Sequence, residues 1–179
     1  MYPYLIPLEL KLDAVIVYSR VVRELIHYNA ALMRCKDVRG RTPLHTACLW
    51  GKAKVVKLYT SNLEHGVSSL EIADSMGNTP LHLACNCTGG NRDTVQHLIN
   101  CGVTVDGMNM KGEAPIHIAA QHGFTSIVEV LLDSKVDIEL QSEEDMCTPL
   151  HHAAKSNQEE MIKFLLQRGL VGKYNNYLF

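Results

Sequence analysis

The chain is 179 residues long, 46% hydrophobic and 20% charged, which is enough material for one core or one short array of units. A formal net charge of -2 leaves no basic footprint of the kind that phosphate neutralisation along DNA or RNA demands, so nucleic acid is not an expected partner. Six cysteines, with no secretory leader ahead of them, are too sparse for a disulfide scaffold and fit reduced thiols in the cytoplasm.

The stretch from Met1 to Tyr18 is apolar, but Glu9, Lys11 and Asp13 interrupt it, so no direct membrane insertion is expected of this segment. The first strong local signal is Thr42-Pro43-Leu44-His45. It returns as Thr79-Pro80-Leu81-His82, Ala114-Pro115-Ile116-His117 and Thr148-Pro149-Leu150-His151, with the prolines 37, 35 and 34 residues apart. Self-similarity at such a period marks a repeat array. Threonine followed by proline predicts a helix start: the hydroxyl oxygen can accept an orphan amide hydrogen, and proline has no amide hydrogen and a preset φ. Leu44, Ala47 and Cys48 then share one helical face, as do Leu81, Ala84 and Cys85, and small residues there let neighbouring helices approach closely. Gly51, Gly123 and Asn157 stand where each inner helix must stop and reverse, a place that favours left-handed backbone.

A second helix is predicted directly after each reversal. Its apolar residues are Val55, Val56 and Tyr59; Val95, Leu98 and Ile99; Ile127, Val128, Leu131 and Leu132; and Met161, Ile162, Leu165 and Leu166. So broad a stripe needs neighbours on both sides, and helices this short are marginal in water by themselves. Stacking must therefore supply the stability. Upstream, Val21 to Ile26 aligns in phase with Ile127 to Leu132, but Leu8-Glu9-Leu10-Lys11 occupies the place of the tetrapeptide, which makes residues 1–36 a degraded unit. Loop excesses are expected at Glu64 to Ser69 and Asn86 to Asn91. The third unit has Ala114 in place of threonine and so loses its cap. The tail after Arg168-Gly169 has no repeat character.

In these tetrapeptides, and in the longer runs GRTPLHTAC, GNTPLHLAC, GEAPIHIAA and MCTPLHHAA that they head, the chain resembles the ankyrin-repeat family over residues 20–169. The resemblance implies an all-α solenoid of stacked helix-turn-helix units with turn fingers, divided as 37–73, 74–108, 109–142 and 143–169 after the degraded unit 1–36 and before a nonrepeat tail 170–179. It also implies non-catalytic binding of a protein partner through the concave face, where fingers and inner-helix ends meet. Mapped onto this chain, the contacts are Arg39, Arg41 and Trp50 in the first clear unit and Met76 and Asn78 in the second. Met110, Lys111 and Glu113 follow in the third, and Glu144 and Asp145 in the fourth. The alternative is that the chain is a cytosolic array fragment of a larger multidomain protein, such as an ankyrin-bearing transient receptor potential channel.

Nine histidines and six cysteines also invite a metal or nucleophile reading. His45, His82, His117 and His151 recur once per unit, and the resemblance assigns this histidine a structural role at the turn. Cys48 and Cys85 fall where other units have Ala120 and Ala154, so they are expected to be small buried residues, with Cys87 pointing outward. No second pair of zinc ligands accompanies Cys85 and Cys87, and no nucleophile motif accompanies His122, His151 or His152. Catalytic, metal and cofactor residues are therefore expected to be none.

Overall fold

The structure, a computed structural model, describes residues 34–61, 70–87 and 91–175. Among these residues there are eight helices and no strand. Four short inner helices, α1 (Pro43–Leu49), α3 (Pro80–Cys85), α5 (Pro115–Gln121) and α7 (Pro149–Lys155), alternate with four outer helices, α2 (Ala53–Ser61), α4 (Arg92–Asn100), α6 (Thr125–Asp133) and α8 (Glu159–Asn175). Inner helices pack on inner helices and outer on outer, which is the all-α solenoid that the repeat implies. The degraded unit, apart from residues 34–36, lies outside the described residues, as do the loop excess at 64–69 and residues 88–90 of the other.

Each inner helix starts on its proline, as the sequence requires. The residue before it, Thr42, Thr79, Ala114 or Thr148, is extended. The threonine hydroxyl works differently from the cap expected of it. In α1 it bonds Nδ1 of His45 at 2.8 Å, and the Thr42 amide donates to the same nitrogen at 3.1 Å. The histidine three residues on is thus the cap of the turn, and Ala114 keeps the amide half of the arrangement, donating to His117 Nδ1 at 3.0 Å. What Ala114 lacks is a side-chain bond to an imidazole.

The small faces meet as the spacing predicts. Cys48, Cys85 and Ala120 are fully buried, while Ala154 at the same place in α7 is exposed, because no inner helix among the described residues follows it. The same reason corrects Leu166. Its counterpart Leu132 packs partly on the core, but Leu166 on α8 is exposed. Cys87 corrects another expectation: it is buried, since the chain turns back after α3 and brings its sulfur up to the backbone of Gly51 in the preceding unit. Gly51, Gly123 and Asn157 all take the positive φ expected where the inner helices reverse. The last outer helix runs on through Gly169 to Asn175.

Candidate partner-binding surface

The fingers are built on one acceptor each. Asp37 Oδ1 accepts the amides of Arg39 and Arg41 at 2.8 and 2.9 Å, and Asp74 Oδ1 those of Met76 and Asn78 at the same two distances. Asn109 Oδ1 does likewise for Lys111 and Glu113 at 2.9 and 3.0 Å. In the fourth finger, which is one residue longer, Ser142 Oγ accepts the Cys147 amide at 3.0 Å. The first unit's finger is joined to the second by Ser75 N to Arg39 O at 2.9 Å, and the second to the third by Met110 N to Met76 O at 2.9 Å. The third is joined to the fourth by Glu143 N to Gly112 O at 3.0 Å.

Glycine is demanded at Gly77 and Gly112 twice over. Both have positive φ, and a Cβ there would stand 2.7 Å from the amide nitrogen of the next finger, Met110 or Glu143. Met146 occupies the equivalent turn position of the fourth finger at φ 53°. With no further finger among the described residues against it, its side chain points into solvent.

These fingers divide the residues mapped from the sequence into two groups. Arg39, Trp50, Met76, Met110, Lys111 and Glu144 are exposed. Arg41, Asn78 and Glu113, half-buried, and Asp145, also exposed, are engaged in bonds that join units or brace a finger. Arg41 Nε lies 3.3 Å from Asp74 Oδ2, and Asn78 Oδ1 accepts from Asn109 Nδ2 at 2.9 Å. Glu113 Oε2 accepts from Asn109 Nδ2 at 3.5 Å, and its Oε1 stands 3.9 Å from His152 Nδ1. Asp145 pairs with Lys155 and accepts from Ser142 Oγ. Sequence reasoning passed over Asp37, Asp74, Asn109 and Ser142, although their recurrence six or seven residues before each proline was a usable signal.

Electrostatics follow from these bonds. Hydrogen bonding from Lys155, then Ser142, holds the Asp145 carboxyl well below the usual carboxylate range, and the Arg41 amide does the same for Asp37. Burial pushes the Asp74 carboxyl up, but the amides of Asn78 and Met76, with the Asn78 and Arg41 side chains, more than reverse it. These three carboxylates therefore stay ionised at neutral pH.

His45, His82 and His117 are fully buried. Because a backbone amide is always a donor, Nδ1 of each must be the bare nitrogen, and Nε2–H donates to a backbone carbonyl: Asn78 and Glu113 in the next unit, each at 3.1 Å, and Leu140, just ahead of the fourth finger, at 2.9 Å. Burial is the main cause that lowers their pKa. His152 is different: it is buried with Nε2 unpartnered and its ring 5.0 Å from that of His117. Cys48 and Cys85 carry thiols that burial pushes far up, away from the thiolate. Among the described residues no group of three or more His, Cys, Asp or Glu is placed to hold a metal ion, and no helix is long and apolar enough to cross a membrane.

A family model for ankyrin repeats in three copies matches residues 13–107 and 87–176. The chain is 32% identical over 137 residues to a B-cell lymphoma 3 protein homolog of Mus musculus, covering 74% of this chain and 30% of that protein. It is 31% identical over 144 residues to alpha-latrotoxin-Lt1a of Latrodectus tredecimguttatus, covering 79% and 10%. It is 34% identical over 87 residues to transient receptor potential cation channel subfamily A member 1 of Homo sapiens, covering 48% and 8%. The chain thus spans less than a third of the length of each of these relatives.

Proposed function

The chain belongs to the ankyrin-repeat family, and we propose that it is a non-catalytic module that binds a protein partner through the concave face of its array. The observation that carries this reading is the state of the face: fingers fastened to one another by backbone hydrogen bonds, with Trp50, 64% exposed, at the C-terminal end of α1. A large exposed aromatic on a rigid scaffold is a ready anchor. Around it the charge is graded, with Arg39 at one end of the array and Glu143, Glu144 and Asp145 at the other. An elongated partner segment that is acidic over the arginine end and basic over the acidic end fits this face. The non-enzymatic reading is supported by the chemistry of the conspicuous side chains. Three of the recurring histidines use both ring nitrogens on backbone groups, and burial holds the Cys48 and Cys85 thiols protonated.

Once a partner is captured, calorimetry and stopped-flow test the assignment. Trp50→Ala weakens binding by about 2 kcal/mol, and Glu144→Lys mainly slows association in a salt-dependent way. Unchanged affinity in both variants, with helicity intact, would place the site elsewhere. A second reading has its own support in the short span of the relatives that is matched: a cytosolic segment of a larger membrane protein. The full-length transcript distinguishes the two.

A further inference from the structure

Cys48 and Cys85 are sealed in the core among the inner helices. Cys147, which immediately precedes Thr148 and the start of α7, is set differently, because an amine lies against its sulfur. Lys155, the last residue of α7, donates from Nζ to Cys147 Sγ at 3.1 Å and pairs with Asp145 Oδ2. Side chains on a helix lean toward its N-terminus, so a lysine at the end of α7 reaches back over the helix to the finger from which that helix starts. Cys147 is itself fastened: its amide donates to Ser142 Oγ at 3.0 Å and to Asp145 Oδ1 at 3.3 Å. The sulfur belongs to a residue only 9% exposed, while the lysine side chain is open to water.

A thiol and an amine are both nucleophiles, and they join only after the sulfur is oxidised. A hydroperoxide does this: the thiolate sulfur attacks a peroxide oxygen, the O–O bond breaks, and a sulfenic acid and water form. Sulfur in a sulfenic acid is electrophilic and condenses with a thiol or a nitrogen. The nitrogen of Lys155 already stands in contact with it. Its unprotonated amine attacks Sγ, the N–S bond forms, the S–O bond breaks, and the oxygen leaves as water. Overall one thiol, one ammonium and one hydrogen peroxide give one S–N link, two waters and one proton. The sulfur is oxidised by two electrons and the peroxide is reduced by the same two. Holding the reacting atoms together favours this closure over attack by a second peroxide from solution.

We propose that Cys147 and Lys155 are an oxidative crosslinking site, at which a hydroperoxide closes a sulfenamide between Sγ and Nζ that ties the fourth finger to the far end of α7. A thiol reopens it: the thiolate attacks Sγ, the N–S bond breaks, and the amine leaves with a proton. The inference goes beyond the protein-binding reading, and its covalent readout does not depend on that reading. Closure consumes the Lys155 charge that pairs with Asp145, so it leaves the fourth finger more acidic. Hydrogen bonding to Asp145, then to Cys147, holds the Lys155 ammonium above the usual lysine range. The free amine is therefore scarce at neutral pH, and closure speeds up as pH rises.

The test treats the full chain with hydrogen peroxide, quenches it, digests it with trypsin and reads the peptides by mass spectrometry. Residues 136–155 hold no lysine or arginine besides Lys155, so Cys147 and Lys155 share one tryptic peptide. The bridged chain is expected to resist cleavage after Lys155 and to yield residues 136–163 as one peptide lighter by two hydrogens. Dithiothreitol is expected to restore the cleavage. Oxidation of Met146 adds oxygen but leaves Lys155 open to trypsin, so it is not mistaken for the bridge. Lys155→Arg keeps a cation beside Asp145 without a primary amine, and Cys147→Ser removes the sulfur. Neither variant is expected to form the bridge, with circular dichroism spectra unchanged. The folded chain is expected to give about tenfold more bridge than the chain unfolded in guanidinium, and more at about pH 9 than at about pH 7. Equal yields from folded and unfolded chain, or a yield that falls with pH, overturn the inference. So does normal cleavage after Lys155 with Cys147 recovered as a sulfinic acid or in a disulfide.

Discussion

Replacing His45 by alanine removes the partner of the Thr42 hydroxyl, at 2.8 Å, and three further contributions. The Thr42 amide, only 2% exposed as a residue, loses its acceptor at 3.1 Å, which costs about 2 kcal/mol for a buried unsatisfied donor. The bond from Nε2 to the Asn78 carbonyl, at 3.1 Å, carries about 1 kcal/mol, a modest value because that carbonyl keeps the amide of Asp74. Loss of a fully buried ring adds about 1 to 2 kcal/mol of cavity and transfer cost. The sum is about 4 to 5 kcal/mol. His151 supplies an internal control, because it is exposed, makes the same amide bond at a longer 3.3 Å, and has no following unit among the described residues to receive Nε2. His151→Ala should therefore cost less than about 1 kcal/mol. Urea unfolding of both variants, followed by circular dichroism with a shared m-value, measures the difference. Equal costs would show that the histidine stabilises only its own turn and that the inter-unit bond contributes nothing.

Stability should also depend on pH with a definite sign. His45, His82 and His117 have folded pKa values below the unfolded value of about 6.5. The unfolded chain therefore takes up protons first, and the stability present above about pH 6.5 is lost as pH falls, by up to about 1.4 kcal/mol per histidine per pH unit. The depressed carboxylates Asp37, Asp74 and Asp145 act in a separate window below about pH 4. A urea midpoint that is flat between about pH 7.5 and 5 would contradict the tautomer assignment. Leu131→Ala, at a fully buried site on α6, should cost about 2 to 5 kcal/mol, and a loss below about 1 kcal/mol would mean that the outer helix is out of phase. His152→Leu should raise the melting temperature by removing a buried unpartnered nitrogen worth about 1 to 3 kcal/mol. Leu83 and Ile118 already fill the same inner-helix position in the two preceding units. A lower melting temperature would show that Nε2 has a partner.

The sequence by itself determined the array. Four tetrapeptides in phase set the unit, the proline set each inner-helix start, and the apolar stripes at helical spacing set the faces that pack, because these are local rules of backbone geometry and periodicity. It also accounts for the recurring histidines, which are explained by the unit that repeats them. Only the tertiary structure decided which finger residues are engaged within the protein and which are exposed. Arg41, Asn78, Glu113 and Asp145 occupy the same kind of position in sequence as Arg39, Met76, Met110 and Glu144, yet the first four bond to a neighbouring unit or within their own finger. For Arg41 and Asn78 the difference arises between units some 30 residues apart, where a side chain of one finger meets a side chain of the next. Cys87 and Leu166 make the same point at smaller scale. One is buried because Gly51 lies against it, and the other is exposed because no further outer helix stands where Leu132 finds one. A repeat pattern specifies what each unit offers, and burial is settled by the neighbour that does or does not stack on it.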